Sequence, residues 1–363
     1  MVCGPSEGPR REVRCHPRLH LVAGSEEHRI HLDTKLSTEW LRGLPKVELH
    51  VHLEGAIAPK RIAQLARSSG EELPRPVDRL FEFEGLGEFL RLLDWWCSLV
   101  RSPRDAQEIA YDAARRASAD GIVYAEVIVN PTHWQGLERD VLIDSLAEGF
   151  DRAATDGLTD CRILLSILRQ QGGDEALELV EWMGRTRPRR VVGLSIDGNE
   201  AASEPTGARF APAFRWAREL GFGTTAHAGE SSGPEGVISA LDDLSVRRID
   251  HGVRAAEDPA VVARLAEERI PLNVCLTSNL ALLYRSLDEH PIGALVRTGV
   301  PVTINTDDPV LLGTTLTEEF ELAADLLDWS RDDAAAATER AIEAAFCEPA
   351  TKRRLRDELA RYG

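Results

Sequence analysis

Pro45-Lys46-Val47-Glu48-Leu49-His50-Val51-His52 is a short, mostly apolar run that ends on two histidines one residue apart. Alternate side chains of a β-strand share a face, so His50 and His52 project together from the strand's C-terminal end. Imidazole is the commonest nitrogen ligand for metals, and two imidazoles converging at a strand end begin a metal site. The same pair is equally compatible with two half-exposed structural histidines. The rest of the chain separates the two readings.

From Leu44 onward, short apolar runs alternate with longer stretches of helical period. The runs predict eight strands, at 47–52, 122–130, 162–168, 191–196, 223–227, 248–251, 271–275 and 301–305. Helical stretches are expected between them, at 59–69, 103–119, 139–156, 174–184, 209–220, 259–268 and 291–298. Several open on Pro or Asp and close at Gly, as in Leu220-Gly221 and Thr298-Gly299. Eight strands alternating with helices fit an α/β fold of the (β/α)₈ TIM-barrel type better than an open sheet. The stretch between the first two strands is too long for one crossover helix, so Phe81 through Trp96 predicts extra helices inserted after strand 1. Most of their aromatics are expected in the core, although an insertion there lies at the C-terminal face of a barrel and can cover a pocket. After Thr317 the chain reads as helical, including the low-complexity Ala334–Ala337.

Composition narrows the function. The 363 residues are 43% hydrophobic and 28% charged, as in ordinary globular proteins. Sixty acidic against 43 basic residues give a net charge of −17, which argues against a nucleic-acid partner. The six cysteines show no Cys-x-x-Cys spacing, so neither a zinc knuckle nor a disulfide framework is expected. No apolar run reaches membrane-span length and no signal peptide is recognisable, so the expectation is a cytoplasmic protein without a membrane partner. Residues 1–36 are Gly-, Pro- and Arg-rich near their start, and the spacing of His16, His20, His28 and His31 matches no ligand pattern. They read as a disordered, solvated extension, leaving 37–363 as a single domain.

The reactive side chains fall at strand ends. His50 and His52 end the first strand, His227 the fifth and His251 the sixth, and Asp307 and Asp308 follow the eighth. In a barrel these ends meet at one mouth. His50, His52, His227 and Asp307 would suit one zinc ion with room for a water, whose pKa zinc lowers toward neutrality. Glu230, His251 and Asp308 then supply the acid–base groups needed for hydrolytic attack on an electron-poor carbon.

Leu49-His50-Val51-His52-Leu53-Glu54-Gly55, His227-Ala228-Gly229-Glu230, Asp250-His251-Gly252 and Asn305-Thr306-Asp307-Asp308-Pro309 resemble the four signature segments of the adenosine deaminase family of amidohydrolases. The similarity covers about residues 44–350 in the same order. It implies a hydrolase with one zinc per subunit, ligated by His50, His52, His227 and Asp307, acting on a small purine nucleoside or base. It further implies that Glu230 donates a proton to purine N1 and that His251 orients the attacking hydroxide and assists its deprotonation. Asp308 would grip N7, and the Gly198 backbone would meet N3. His52 and Glu54 would also lie against the substrate.

Three features depart from the family pattern. Glu54 stands where many adenosine deaminases have the Asp that reaches the ribose 5′-hydroxyl, and a Glu here occurs in relatives acting on adenine or on modified adenine nucleosides. Ser195, Asp197 and Asn199 replace Asp, Ala and Asp around Gly198. The segment before Leu44 has no counterpart. The leading expectation is deamination of adenosine and deoxyadenosine. Adenine or 6-amino-deoxyfutalosine is the close rival, and another amidohydrolase reaction such as cyclic amide hydrolysis is a more distant one. His133, Trp134, Ser278 and Asn279 are open candidates for pocket or structural roles. Nothing in the sequence fixes the oligomeric state.

Overall fold

The computed structural model describes residues 36–82, 85–203 and 207–362. Of the expected N-terminal extension, residues 1–35 lie outside the described residues, and Leu36 is buried.

Eight apolar runs became eight parallel strands: β1 (Lys46–His52), β2 (Ile122–Val129), β3 (Asp160–Leu168), β4 (Val191–Asp197), β5 (Gly223–Ala228), β6 (Arg248–His251), β7 (Leu272–Val274) and β8 (Val302–Ile304). They pair in sequence order from β1 to β8. This is the (β/α)₈ TIM barrel that the alternation predicts, with both faces of each strand buried. β7 and β8 begin one residue later than expected because Pro271 and Pro301 carry no N–H to give the ladder. Their carbonyls still take part, accepting from Ile249 N at 2.9 Å and Leu272 N at 2.9 Å.

No regular ladder joins β8 to β1. The seam is closed instead by the residues just beyond β8. Asn305 Oδ1 accepts from Leu49 N (2.8 Å) and His50 N (3.1 Å). One residue pair further, His52 N donates to the Asp307 carbonyl (2.8 Å) and Asp307 N to the His50 carbonyl (3.2 Å).

The insertion after β1 contains the helices Pro59–Ser69, Gly85–Ser98 and Pro103–Ala119. Its aromatics pack as expected, with Phe81 edge-on to Trp96 at 5.5 Å between ring centroids. Trp96 Nε1 also donates to the Glu54 carbonyl (3.1 Å), which ties the insertion to the end of β1. The C-terminal region forms the helices Leu316–Leu327, Arg331–Ala344 and Pro349–Tyr362. Ala334 and Ala337 lie on a buried face, where their small side chains allow close approach. Among the described residues no helix is long and apolar enough to cross a membrane, and Cys97, Cys161, Cys275 and Cys347 are free thiols.

Candidate active site

The seam between β8 and β1 sets the first part of the site, because the backbone bonds that close it also hold His50, His52 and Asp307 side by side. The fifth strand adds His227. One ligand-type atom from each of His50, His52, His227 and Asp307 lies within 4.8 Å of the others. Asp307 Oδ1 is 3.1 Å from His50 Nε2 and 3.4 Å from His52 Nε2, and His52 Nε2 is 3.1 Å from His227 Nε2.

Neighbouring groups fix how these side chains present themselves. His227 Nδ1 sits 3.1 Å from the Ile196 carbonyl, which can only accept, so Nδ1 carries the proton and Nε2 offers a lone pair inward. His50 Nδ1 lies 3.1 Å from Asp250 Oδ1, a carboxylate behind an imidazole of the kind that orients metal ligands. Asp250 is itself held by Asn273 Nδ2 (2.7 Å) and Ser195 Oγ (3.5 Å). Burial lowers the pKa values of His52 and His227. It would lower His50 as well, but Asp250 and Asp307 raise that imidazole to about 10. Burial would raise Asp307, yet His50, His251 and His52 hold it well below the usual carboxylate range. Nitrogen and carboxylate donors converging from three strand ends, all buried except half-buried His52 and one with its lone pair locked inward, make a donor set that fits Zn²⁺.

Beside this cluster stand the remaining acid–base groups. His251 Nε2 is 3.4 Å from Glu230 Oε1 and 4.0 Å from Asp307 Oδ2. Burial raises the Glu230 carboxyl above its ordinary value, with Asp307 and Glu200 adding to the shift and His251 opposing it. Burial and the adjacent Asp307 raise Asp308 well above the usual range. Gly55 makes Asp308 possible, since a Cβ there would stand 1.8 Å from Asp308 Oδ1. Gly198 has a φ of +91°, which favours glycine on backbone grounds alone. Glu200, two residues on, accepts from Gly229 N (3.1 Å), Glu230 N (2.9 Å) and Ser232 Oγ (2.6 Å), so it holds the loop that carries Glu230.

The open candidates separate cleanly. Glu54 is buried, and its Oε1 accepts from Asn130 N (2.9 Å) and Trp134 Nε1 (2.7 Å), while Oε2 is buried without a hydrogen-bond partner among the described residues. Trp134 is therefore the prop behind Glu54. His133 turns to Asp94 on the inserted helix Gly85–Ser98, with Nδ1 2.6 Å from Oδ1. Ser278 Oγ donates to Asp307 Oδ2 (2.7 Å), and Asn279 Nδ2 lies 3.3 Å from His251 Nδ1. Asp197 pairs with Asn130 Nδ2 (3.1 Å). Sequence reasoning passed over Asp250 and Glu200. Asp250 carried a signal, as a carboxylate beside His251 at a strand end, but the partner that gives it meaning is 200 positions away in sequence.

The adenosine deaminase family model matches residues 45–362. The chain is 36% identical over 333 residues to an aminodeoxyfutalosine deaminase from Streptomyces coelicolor, covering 89% of this chain and 85% of that one. It is 33% identical over 333 residues to an adenine deaminase from Vibrio parahaemolyticus, covering 89% and 97% of the two chains. Among solved structures, an amidohydrolase from Burkholderia ambifaria with bound zinc is similar at a TM-score of 0.83 and 32% identity, covering 91% of this chain and 94% of that one.

Proposed function

The chain belongs to the adenosine deaminase family, whose members are hydrolytic deaminases acting on a C–N bond, and we propose that its substrate is the free base adenine, converted with water to hypoxanthine and ammonia. The observation that carries this reading is the unpaired Oε2 of Glu54. A buried acceptor without a donor costs about 1–3 kcal/mol, which a ligand N–H can recover. The imidazole ring of free adenine carries such an N–H, and N9-substituted adenosine has lost it. Glu54 cannot swing toward a sugar without breaking the two bonds that hold Oε1. It is also close enough to His52 and Asp308 to act on both electrostatically. The named relatives support a substrate other than adenosine, so adenine displaces the adenosine that the signature segments first suggest.

The residues that would hold zinc are His50, His52, His227 and Asp307. When bound, zinc activates water for attack at neutral pH. The chain's own groups do the rest. Glu230, whose carboxyl burial biases toward the protonated form, gives its proton to N1 and so makes C6 electrophilic. His251, beside Glu230, orients the attacking oxygen. Asp308, likewise biased toward its protonated form, can donate to N7 and fix the ring. Gly198 brings bare backbone against the far edge of the purine.

A second reading, aminodeoxyfutalosine, is favoured by the 36% identity to the Streptomyces coelicolor protein. Zinc-replete protein assayed for ammonia release on adenine, adenosine, deoxyadenosine and aminodeoxyfutalosine separates the two. Adenine should show the highest kcat/KM. A preference for aminodeoxyfutalosine would install the second reading, and a preference for adenosine would refute both.

A further inference from the structure

His290 and Asn279 are buried, carry no part in the reaction above, and form a chain that ends on His251. The chain begins at Ile292, whose backbone N–H donates to His290 Nδ1 (3.2 Å). A backbone N–H can only donate, so His290 Nδ1 is an acceptor and carries no proton. Burial lowers the His290 pKa to about 4, so at neutral pH the ring is uncharged and its single proton is on Nε2. That nitrogen lies 3.1 Å from an end of the Asn279 side chain, which must therefore be the carbonyl oxygen. The amide nitrogen of Asn279 then faces His251 Nδ1 at 3.3 Å. An amide nitrogen can only donate, so His251 Nδ1 accepts. In neutral His251 the proton is on Nε2, the atom nearest Glu230 Oε1 and Asp307 Oδ2.

We propose that Asn279 and His290 are positioning residues that lock His251 into the Nε2–H tautomer, so that His251 offers a hydrogen bond to the attacking oxygen. This rests on the deaminase reading above for what the bond acts on; the tautomer itself rests only on the hydrogen-bond chain. The polarity is set from outside the site by one peptide group at the start of the helix Ile292–Arg297. Each link in between has a single consistent orientation.

The test uses zinc-loaded protein labelled with ¹⁵N-histidine and read by long-range ¹H–¹⁵N NMR, with His251 assigned by its absence in His251→Gln. His251 and His290 should both show a proton on Nε2 and none on Nδ1. Asn279→Asp presents an acceptor to Nδ1 instead of a donor. In that variant the proton should appear on Nδ1, and kcat should fall on the order of 100-fold, with KM and zinc content held. A purely structural Asn279 would lower zinc content or folded fraction and leave the tautomer unmoved. A wild-type spectrum with the His251 proton on Nδ1 overturns the proposal, as does an Asn279→Asp protein with unchanged tautomer and kcat. If Asn279→Asp does not fold, the wild-type spectrum alone decides. If no aminopurine is turned over, the proposed function fails and the spectrum still tests the tautomer.

Discussion

Asp307 and His251 hold φ values of +67° and +63°, a region that residues with a Cβ rarely occupy. Such strain costs on the order of 1–3 kcal/mol per residue and persists where surrounding bonds over-determine it. At Asp307 those bonds are the seam contacts to His50 and His52, so the strain is the cost of presenting a carboxylate between two imidazoles. Asp tolerates this conformation better than most residues, which suits it to the position. Replacing Ala by Gly normally destabilises a regular element by roughly 0.5–1 kcal/mol. At position 307 the order should reverse, with Asp307→Gly at least as stable as Asp307→Ala in urea unfolding of zinc-free protein. A clearly more stable Ala variant would show that the positive φ carries no strain.

The strand ends were legible because β-strands write their position as apolar runs, and a reactive residue closing each run is visible in one dimension. The helix Leu276–Leu282 was not, although it carries Ser278 and Asn279. Its seven residues are too few to establish a period, and no side chain of its own caps the first turn. The cap comes from Glu319 on the helix Leu316–Leu327, whose carboxylate accepts from Leu276 N (2.8 Å), Thr277 N (3.2 Å) and Thr314 Oγ1 (3.1 Å). A cap supplied from 43 residues away leaves no local signature. Glu200 acts likewise on the loop after β5, and the unpaired oxygen of Glu54 is a three-dimensional fact of the same kind.

Burial pushes the Glu319 carboxyl from 4.5 to about 7, even against the hydrogen bonds it accepts. Its folded form therefore binds a proton more tightly than its unfolded form. The stability it contributes is complete below about pH 4.5 and is lost as pH rises through about 7. Glu319→Gln removes that titration. The stability difference between wild type and variant, from urea unfolding, should move against the wild type from pH 5 to pH 8. A difference that stays constant over that range would refute the assignment.

At the scale of the whole molecule, barrel closure and site assembly are one event, since the β8–β1 seam runs through Asn305 and Asp307. Asn305 offers no atom to the His50, His52, His227 and Asp307 cluster, but its amide oxygen serves two β1 N–H groups and its amide nitrogen bonds Thr303 Oγ1 (2.9 Å). Asn305→Ala leaves both N–H groups buried and unpaired, at about 1–3 kcal/mol each. The variant should unfold at lower urea and lose zinc faster to a chelator, although no ligand has been touched. Zinc retention equal to wild type would separate the seam from the site. The joint also has a meaning in time. His50 and Asp307 are 257 residues apart, and a ribosome makes the first long before the second. A nascent chain that has not yet emerged past β8 holds histidines but no complete pocket. The deaminase cannot be armed piecemeal, and its site exists only once the chain has been made through β8 and Asp307 and the ring has shut.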